Sequence, residues 1–241
     1  MYRALGLGKA ASMAISPARA PRVTKRYASD AWVAAIALGV AMIASVFRAS
    51  ALTDAERDVF ESINHLSDVV SRPVQAVMLF GVFAAVPVTA LVAMAFRRFR
   101  LAVVLLASGC LAYALARLGK PIVDAGRPLA VLPNADVIVR GAIAQGLGYP
   151  SGHSAVSAAL AFAALPYLNG RYRWLILLVP LVVGFGRIYV GAHLPLDVLG
   201  GWAMGVGSAF VVHLIAGRPP LTRAVDQEQV EAEQDPLPAS S

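Results

Sequence analysis

Three short stretches hold most of the residues in this chain that are suited to chemistry. Lys120 is followed after six residues by Arg127 and Pro128. Pro150, Ser151, Gly152 and His153 run consecutively. Arg187 is followed after five residues by His193, and after three more by Asp197. Together they supply three cations, two imidazoles, one carboxylate and a glycine at the start of a helix. Arginine forks and lysine point charges hold phosphate oxygens, and the free N–H groups of a helix start attract the same anion. His193 and Asp197 are one helical turn apart. A carboxylate that accepts from one ring nitrogen leaves the other unprotonated and free to attack phosphorus. The set suits binding a phosphate and cleaving its ester through an attacking histidine.

Each stretch also has a plainer reading when taken alone. Ser151 serves as an ordinary cap for a helix opening at about Ser154. Lys120 and Arg127 are the kind of cation that anchors a membrane helix at the interface, with Asp124 available as a salt-bridge partner. His193 and Asp197 form a pair that braces a helix start. The chemical reading gains over these because the three stretches occur together. His213 lies sixteen residues beyond Asp197 in the same apolar run, about 24 Å away at helical rise, and reads as structural. His65 stays open between the two readings.

The elements that must position these residues are apolar. The chain has 241 residues, 58% of them hydrophobic and 15% charged, with a mean hydropathy of +0.66. That balance is far from an ordinary soluble domain. Six apolar runs, at about 31–47, 74–96, 101–118, 154–168, 174–189 and 196–216, predict an all-α polytopic membrane bundle of six transmembrane helices. The fourth and fifth runs are short and must extend into neighbouring motif residues. Gly191 is positioned to end one helix and turn the chain toward His193. All three stretches sit at run ends, so the phosphate they suit belongs to a lipid.

Around this bundle, residues 1–29 read as a basic cytoplasmic arm, 30–217 as the six-span domain, and 218–241 as an acidic tail without fixed structure. Thr53 and Glu56 form a capping-box pattern. Val59, Ile63, Leu66 and Val70 then fall on one helical stripe, which suits a helix lying at the interface where a lipid enters or one packed over the bundle. With six spans, thirteen of the 21 basic residues fall on the side of the N-terminal arm and eight on the other. This bias predicts cytoplasmic termini and places all three stretches at the outer membrane face. The net charge of +7 is concentrated at span ends, which points to the lipid bilayer as partner and away from nucleic acid. Oligomeric state is not legible. Arginine outnumbers lysine 18 to 3, a usage that suggests a GC-rich bacterial genome. The expected location is a bacterial plasma membrane. Cys110 is the sole cysteine, which rules out an internal disulfide. Lys25 and Arg26, an apolar run and then Ala49, Ser50 and Ala51 resemble a cleavable export signal. The run of 17 residues exceeds a usual signal core, so an uncleaved first span is expected.

The three stretches together resemble the type 2 phosphatidic acid phosphatase superfamily, whose signatures are Lys-x6-Arg-Pro, Pro-Ser-Gly-His and Ser-Arg-x5-His-x3-Asp. The first two match fully. In the third, Gly186 stands where the family has serine, so the supporting hydrogen bond of that serine is in doubt. The run from Gly191 to Trp202 resembles the family's continuation, and the likeness covers about residues 74–216. The resemblance implies that His193 is the nucleophile, forming a phosphohistidine. It implies that Asp197 orients His193 and that His153 is the general acid for the leaving oxygen. Lys120, Arg127, Arg187 and the backbone N–H groups of Ser151 and Gly152 would hold the phosphate. It also implies chemistry with no metal and no other cofactor, which three cations can support by neutralising transition-state charge.

Among lipid phosphates, the resemblance favours a polyprenyl diphosphate such as undecaprenyl diphosphate, converted to the monophosphate carrier of cell-wall synthesis. Phosphatidic acid, phosphatidylglycerol phosphate, a lipid A phosphate or a phosphorylated prenyl sugar are the alternatives. Transfer of phosphate to an alcohol would share the same intermediate as hydrolysis. A lipid-binding or lipid-translocating membrane protein without turnover is the reading from another class; it would not require both His153 and His193.

Overall fold

A computed structural model of the chain describes residues 24–50, 52–132, 137–141, 144–168 and 171–220. Among these residues the structure is all-helical, apart from one isolated antiparallel bridge between Lys25 and Arg218. The helices are α1 (Ala28–Ala49), α2 (Asp54–Asn64), α3 (Ser71–Met78), α4 (Ala85–Ala95), α5 (Phe99–Val123), the single turn α6 (Pro128–Val131), α7 (Gly152–Ala164), α8 (Leu178–Tyr189) and α9 (Pro195–Ala216). Short 3₁₀ segments at Asp68–Val70, Leu79–Gly81, Leu165–Tyr167 and Arg171–Leu177 link or extend them. The basic arm before residue 24 and the acidic tail after residue 220 lie outside the described residues.

Among the described residues three helices are long and apolar enough to cross a bilayer: α1, α5 running on into α6, and α9. A fourth crossing results if α3 and α4 with their flanking turns count as one span, and that pair is bent by 74°. The straight helix expected over 74–96 is therefore broken. The reason is packing. The turn at Leu79–Gly81 presses on the start of α7, where a Cβ on Gly81 would stand 2.8 Å from the His153 carbonyl oxygen. Pro87 then falls in the first turn of α4, where its missing N–H costs least. The fourth and fifth apolar runs do carry helix, yet α7 has 13 residues and α8 has 12, each short of the roughly 20 of a usual crossing.

Helix α9 is the axis of the bundle and packs against α1, α7, α5 and α8. Its glycines set the spacing. A Cβ on Gly201 would lie 2.4 Å from the Ser151 carbonyl oxygen, and one on Gly205 would lie 2.3 Å from that of Ala155. The facing side of α7 is alanine at 155, 158 and 159, all buried. Small residues on both helices let the backbones approach, which matters most where apolar surface gains little by leaving lipid. Trp32, Ile36 and Met42 of α1 and Val103 and Leu106 of α5 remain exposed, as a lipid-facing surface requires.

Helix α2 forms where the capping pattern predicts, with Thr53 Oγ1 accepting from the Glu56 amide at 3.2 Å. The reciprocal half of the box is missing, because the Glu56 side chain accepts instead from Leu196 N at 3.0 Å. The predicted stripe is cut short as well. Asn64 closes α2 with its side chain drawn inward, donating to the carbonyls of Ile138 (2.8 Å) and Tyr189 (3.0 Å). Leu66 and Val70 lie past that point and are exposed, while Phe60 and Ile63 carry the packing.

Candidate active site

A cavity of about 150 Å³ opens beside the start of α7 and the turn between α8 and α9. Six of the eight residues singled out from sequence line it: Lys120, Arg127, Gly152, His153, Arg187 and His193. Asp197 lies directly behind His193. Ser151 lies behind the first turn of α7.

The motif spacing has a local cause at each place. The Arg187 carbonyl accepts from both Ala192 N and His193 N, each at 3.1 Å, so five intervening residues bring the chain back over the end of α8. Gly191 makes the reversal with φ +75°, and a Cβ there would meet the Ile138 carbonyl oxygen at 2.7 Å. Both facts demand glycine. Pro195 opens α9 at its first position, where a proline is favoured. Asp197 is then one turn above His193. At α7, Ser151 caps the helix, accepting from Ser154 N at 3.4 Å.

The hydrogen bonds fix how the His193 ring is protonated. Its Nδ1 lies 3.3 Å from Asp197 Oδ2, and its Nε2 lies 3.3 Å from Arg127 Nη1. A guanidinium can only donate. Nε2 therefore carries the lone pair and Nδ1 carries the hydrogen that Asp197 accepts. Burial pushes the His193 imidazole down to about 4, against the opposing pull of Asp197, so the ring is neutral near pH 7. Asp197 is itself fully buried. Its Oδ2 also accepts from Leu194 N at 3.0 Å, and its Oδ1 accepts from Arg48 Nε at 2.9 Å.

The cations are arranged for an anion. Arg127 Nε donates to the carbonyls of Gln145 (3.0 Å) and Gly146 (3.1 Å), and its Nη1 donates to Ala192 O at 2.8 Å. Lys120 Nζ donates to Leu147 O at 2.7 Å. These contacts tie Lys120 and Arg127 to the 145–148 loop. Among the described residues Arg187 has no hydrogen-bond or ion-pair partner for its side chain, and its Nε is buried. A Cβ built on Gly152 meets nothing within 4 Å, which leaves that side of the helix start open to a ligand.

One expectation changes, and one departure from the family pattern finds a cause. Ser151 does not reach the cavity: its N–H donates to the Asp197 carbonyl at 2.9 Å and the residue is fully buried. It couples α7 to α9, and of the two backbone groups expected to grip phosphate only that of Gly152 borders the cavity. At position 186, where the family has serine, a Cβ would stand 2.8 Å from Met78 Sδ and Val74 Cγ1, so those side chains would have to shift to admit it. Glycine at this place lets α3 close on α8.

Sequence reasoning misses four residues. Arg48 and Glu56 meet the first turn of α9 from the other side. Asn64 ties α2 to the loop at Ile138. Arg117, one turn before Lys120 on α5, lines the cavity and, among the described residues, has no ion-pair or hydrogen-bond partner for its side chain. The one available signal is spacing: Arg117 and Lys120 are i, i+3 on a helix and must share a face.

The family model of the PAP2 superfamily matches residues 97–219 of this chain. The chain belongs to the PAP2 superfamily. It is similar to the undecaprenyl-diphosphatase of Sulfolobus acidocaldarius, with 28% identity over 139 residues, covering 57% of this chain and 66% of that relative. It is also similar to the lipid A 1-phosphatase of Rhizobium johnstonii, with 37% identity over 70 residues, covering 29% of this chain and 28% of that relative. The match thus spans less than two thirds of the length of either curated relative. Among solved structures it is similar to Aquifex aeolicus LpxE, with a TM-score of 0.57 and 20% identity, covering 68% of this chain and 98% of that one. That likeness concerns the fold.

Proposed function

We propose that this PAP2 protein is an integral membrane phosphatase that hydrolyses a lipid diphosphate to the monophosphate through a phosphohistidine. The observation that carries the reading is the His193 ring, with its Nε2 lone pair turned toward a cavity lined by Lys120, Arg127, Arg187 and His153. An incoming phosphate draws Arg127 from the ring nitrogen. Nε2 then attacks phosphorus, the P–N bond forms, and the bond to the leaving oxygen breaks as His153 gives that oxygen its proton. Water attacks next, losing a proton to His153. The P–N bond breaks, and inorganic phosphate and neutral His193 return. Asp197 stabilises the imidazolium character of the ring in both steps.

The choice of a diphosphate, with a polyprenyl diphosphate such as undecaprenyl diphosphate first, is supported by Arg117. Lys120, Arg127 and Arg187 surround the place of the phosphate next to His193. A fourth cation, one turn away along α5 and without a protein partner among the described residues, suits the second phosphate. The relative named undecaprenyl-diphosphatase favours the same substrate, while the lipid A 1-phosphatase supports a phosphorylated lipid more broadly.

The reading includes six crossings, residues 30–217 as the membrane domain, cytoplasmic termini and an outward-facing site in a bacterial plasma membrane. With their 3₁₀ extensions, α7 covers about 25 Å and α8 about 32 Å at standard rises. The α8 length matches a hydrocarbon layer about 30 Å thick, and α7 falls about 5 Å short of it, a gap that local thinning of the bilayer can close.

The test is phosphate release by purified protein from undecaprenyl diphosphate, phosphatidylglycerol phosphate, phosphatidic acid and a lipid A phosphate. His193→Ala should remove nearly all release, and Arg117→Ala should lower release from the diphosphate more than from any monophosphate. Wild-type rates in His193→Ala would overturn the mechanism. An equal effect of Arg117→Ala on all substrates would overturn the diphosphate preference.

A further inference from the structure

We propose that Arg48, in the last turn of α1, is a positioning residue for the His193–Asp197 pair, which makes the first helix a working part of the active site. The inference rests on the reading of His193 as nucleophile. Arg48 is 5% exposed. Its Nε donates to Asp197 Oδ1 at 2.9 Å, and its Nη2 donates to the carbonyl of Gly126. One guanidinium thus holds the carboxylate that orients the nucleophile and the backbone unit next to the phosphate-gripping Arg127.

The division of labour at Asp197 shows what this contact does. Oδ2 faces His193 Nδ1 and Leu194 N, while Oδ1 faces Arg48. A carboxylate can turn about its last side-chain bond, and Arg48 fixes that rotation so that Oδ2 stays on the ring. A buried carboxylate beside a neutral imidazole is also costly unless a cation meets it. Lys120, Arg127 and Arg187 line the cavity and are available to substrate. Arg48 is withdrawn from that cavity, so its charge remains with Asp197 when phosphate arrives. Cleavage of the chain at the Ala49, Ser50 and Ala51 sequence would strip this contact from the site.

The experiment uses the full chain, purified in detergent, with Arg48→Met to keep the stem and remove the charge and Arg48→Lys to restore a charge without the fork. Three quantities are read: kcat and KM for phosphate release, the midpoint of thermal unfolding, and ¹⁵N spectra of labelled histidine, with His193→Ala assigning the resonances. The expected result for Arg48→Met is a fall in kcat of about 10- to 100-fold, the range for a residue that orients an active group. KM should stay within about threefold, the His193 Nδ1 and Nε2 signals should shift, and Arg48→Lys should recover part of the loss. Unchanged His193 signals in Arg48→Met overturn the proposal. With such signals, lost activity that follows the unfolding midpoint assigns Arg48 to stability alone. If wild-type protein releases no phosphate from any lipid tested, the phosphatase reading fails. The nitrogen spectra then still decide whether Arg48 sets the state of the His193 ring.

Discussion

The two ends of α9 carry the same three residue types and use them in opposite ways. At the start of the helix, His193, Asp197 and Arg48 meet. At its end, His213 is accompanied by Asp30 from α1 and by Arg218 just past the helix. There, Arg218 spends its fork on Asp30, with Nε at 3.1 and 3.0 Å from the two oxygens and Nη2 at 2.8 Å from one of them. Its guanidinium also lies over the Tyr27 ring, 4.3 Å from the centroid. Arg26 and Arg100 take the free carbonyls of the last turn. His213 Nε2 lies 3.3 Å from the Ala163 carbonyl. A carbonyl only accepts, so this ring carries its hydrogen on Nε2, the reverse of His193. Arg26, Arg100 and Arg218 are thus all engaged by the protein itself. At the other end, Asp197 is the acid shared by the assembly, and Arg187 and Arg117 have no protein partner among the described residues. A cluster whose cations are all engaged by the protein holds helices together. Cations left without protein partners around a cavity are placed for an anion that is not part of the protein.

Neutralising each buried acid tests that contrast with the largest expected effect. Asp197→Asn should lower kcat by up to about 10⁴-fold, by analogy with a serine-based triad that loses its orienting acid. Asp30→Asn should leave kcat within about threefold and instead cost stability, about 3–5 kcal/mol for a buried pair broken on one side. Phosphate release and thermal unfolding of both variants decide the matter. Comparable kinetic losses in the two would erase the distinction between the ends.

The active end is legible because its residues are close together in sequence. Lys120 to Arg127, Pro150 to His153 and Arg187 to Asp197 are local patterns, and six of the eight residues read from them line one cavity. Arg48 is 149 residues from Asp197, and no periodicity links the two. Before the fold is known, an arginine at the end of an apolar run resembles any interfacial anchor. Ser151 misleads for the opposite reason: a local pattern places its N–H at the helix start, while a carbonyl from α9 has already claimed it. The helices themselves follow from hydropathy. The 74° bend between α3 and α4 does not, since hydropathy is continuous across it, while Gly81 packs against the start of α7 at the break.

The next effect in size concerns the fork of Arg127. It reaches the loop carbonyls, Ala192 O and His193 Nε2 at once. A lysine has the charge but not the planar set of donors. Arg127→Lys should therefore lower kcat/KM by about 10²-fold, the scale of one lost donor to developing charge. Arg218→Lys at the other end should cost stability and little turnover. Steady-state kinetics on both, with unfolding midpoints, would show whether the fork matters for catalysis at one end only.

The pH profile sharpens the comparison further. Protonation of His193 removes the attacking lone pair, so kcat/KM must fall as pH drops through the value of this group in the free enzyme. Burial holds that value at about 4, well below the ordinary imidazole value of about 6.5. The acid limb should therefore lie well below the ordinary imidazole value, with its midpoint near 4. An acid midpoint close to the ordinary imidazole value would mean that a group other than a buried, neutral His193 controls the first step.

The smallest expected effect is that of removing metal. A divalent ion would need acidic or imidazole ligands with lone pairs to spare. Both oxygens of Asp197 already accept from Arg48, Leu194 and His193, and four cationic side chains line the same cavity. Those cations supply the charge that a metal would otherwise bring to the phosphoryl oxygens. Phosphate release after dialysis against EDTA should equal that of untreated protein, and added Mg²⁺ should not raise it. Loss of activity restored by a divalent ion would assign the cations at this end of α9 to substrate binding alone and transfer the work on the transition state to the metal.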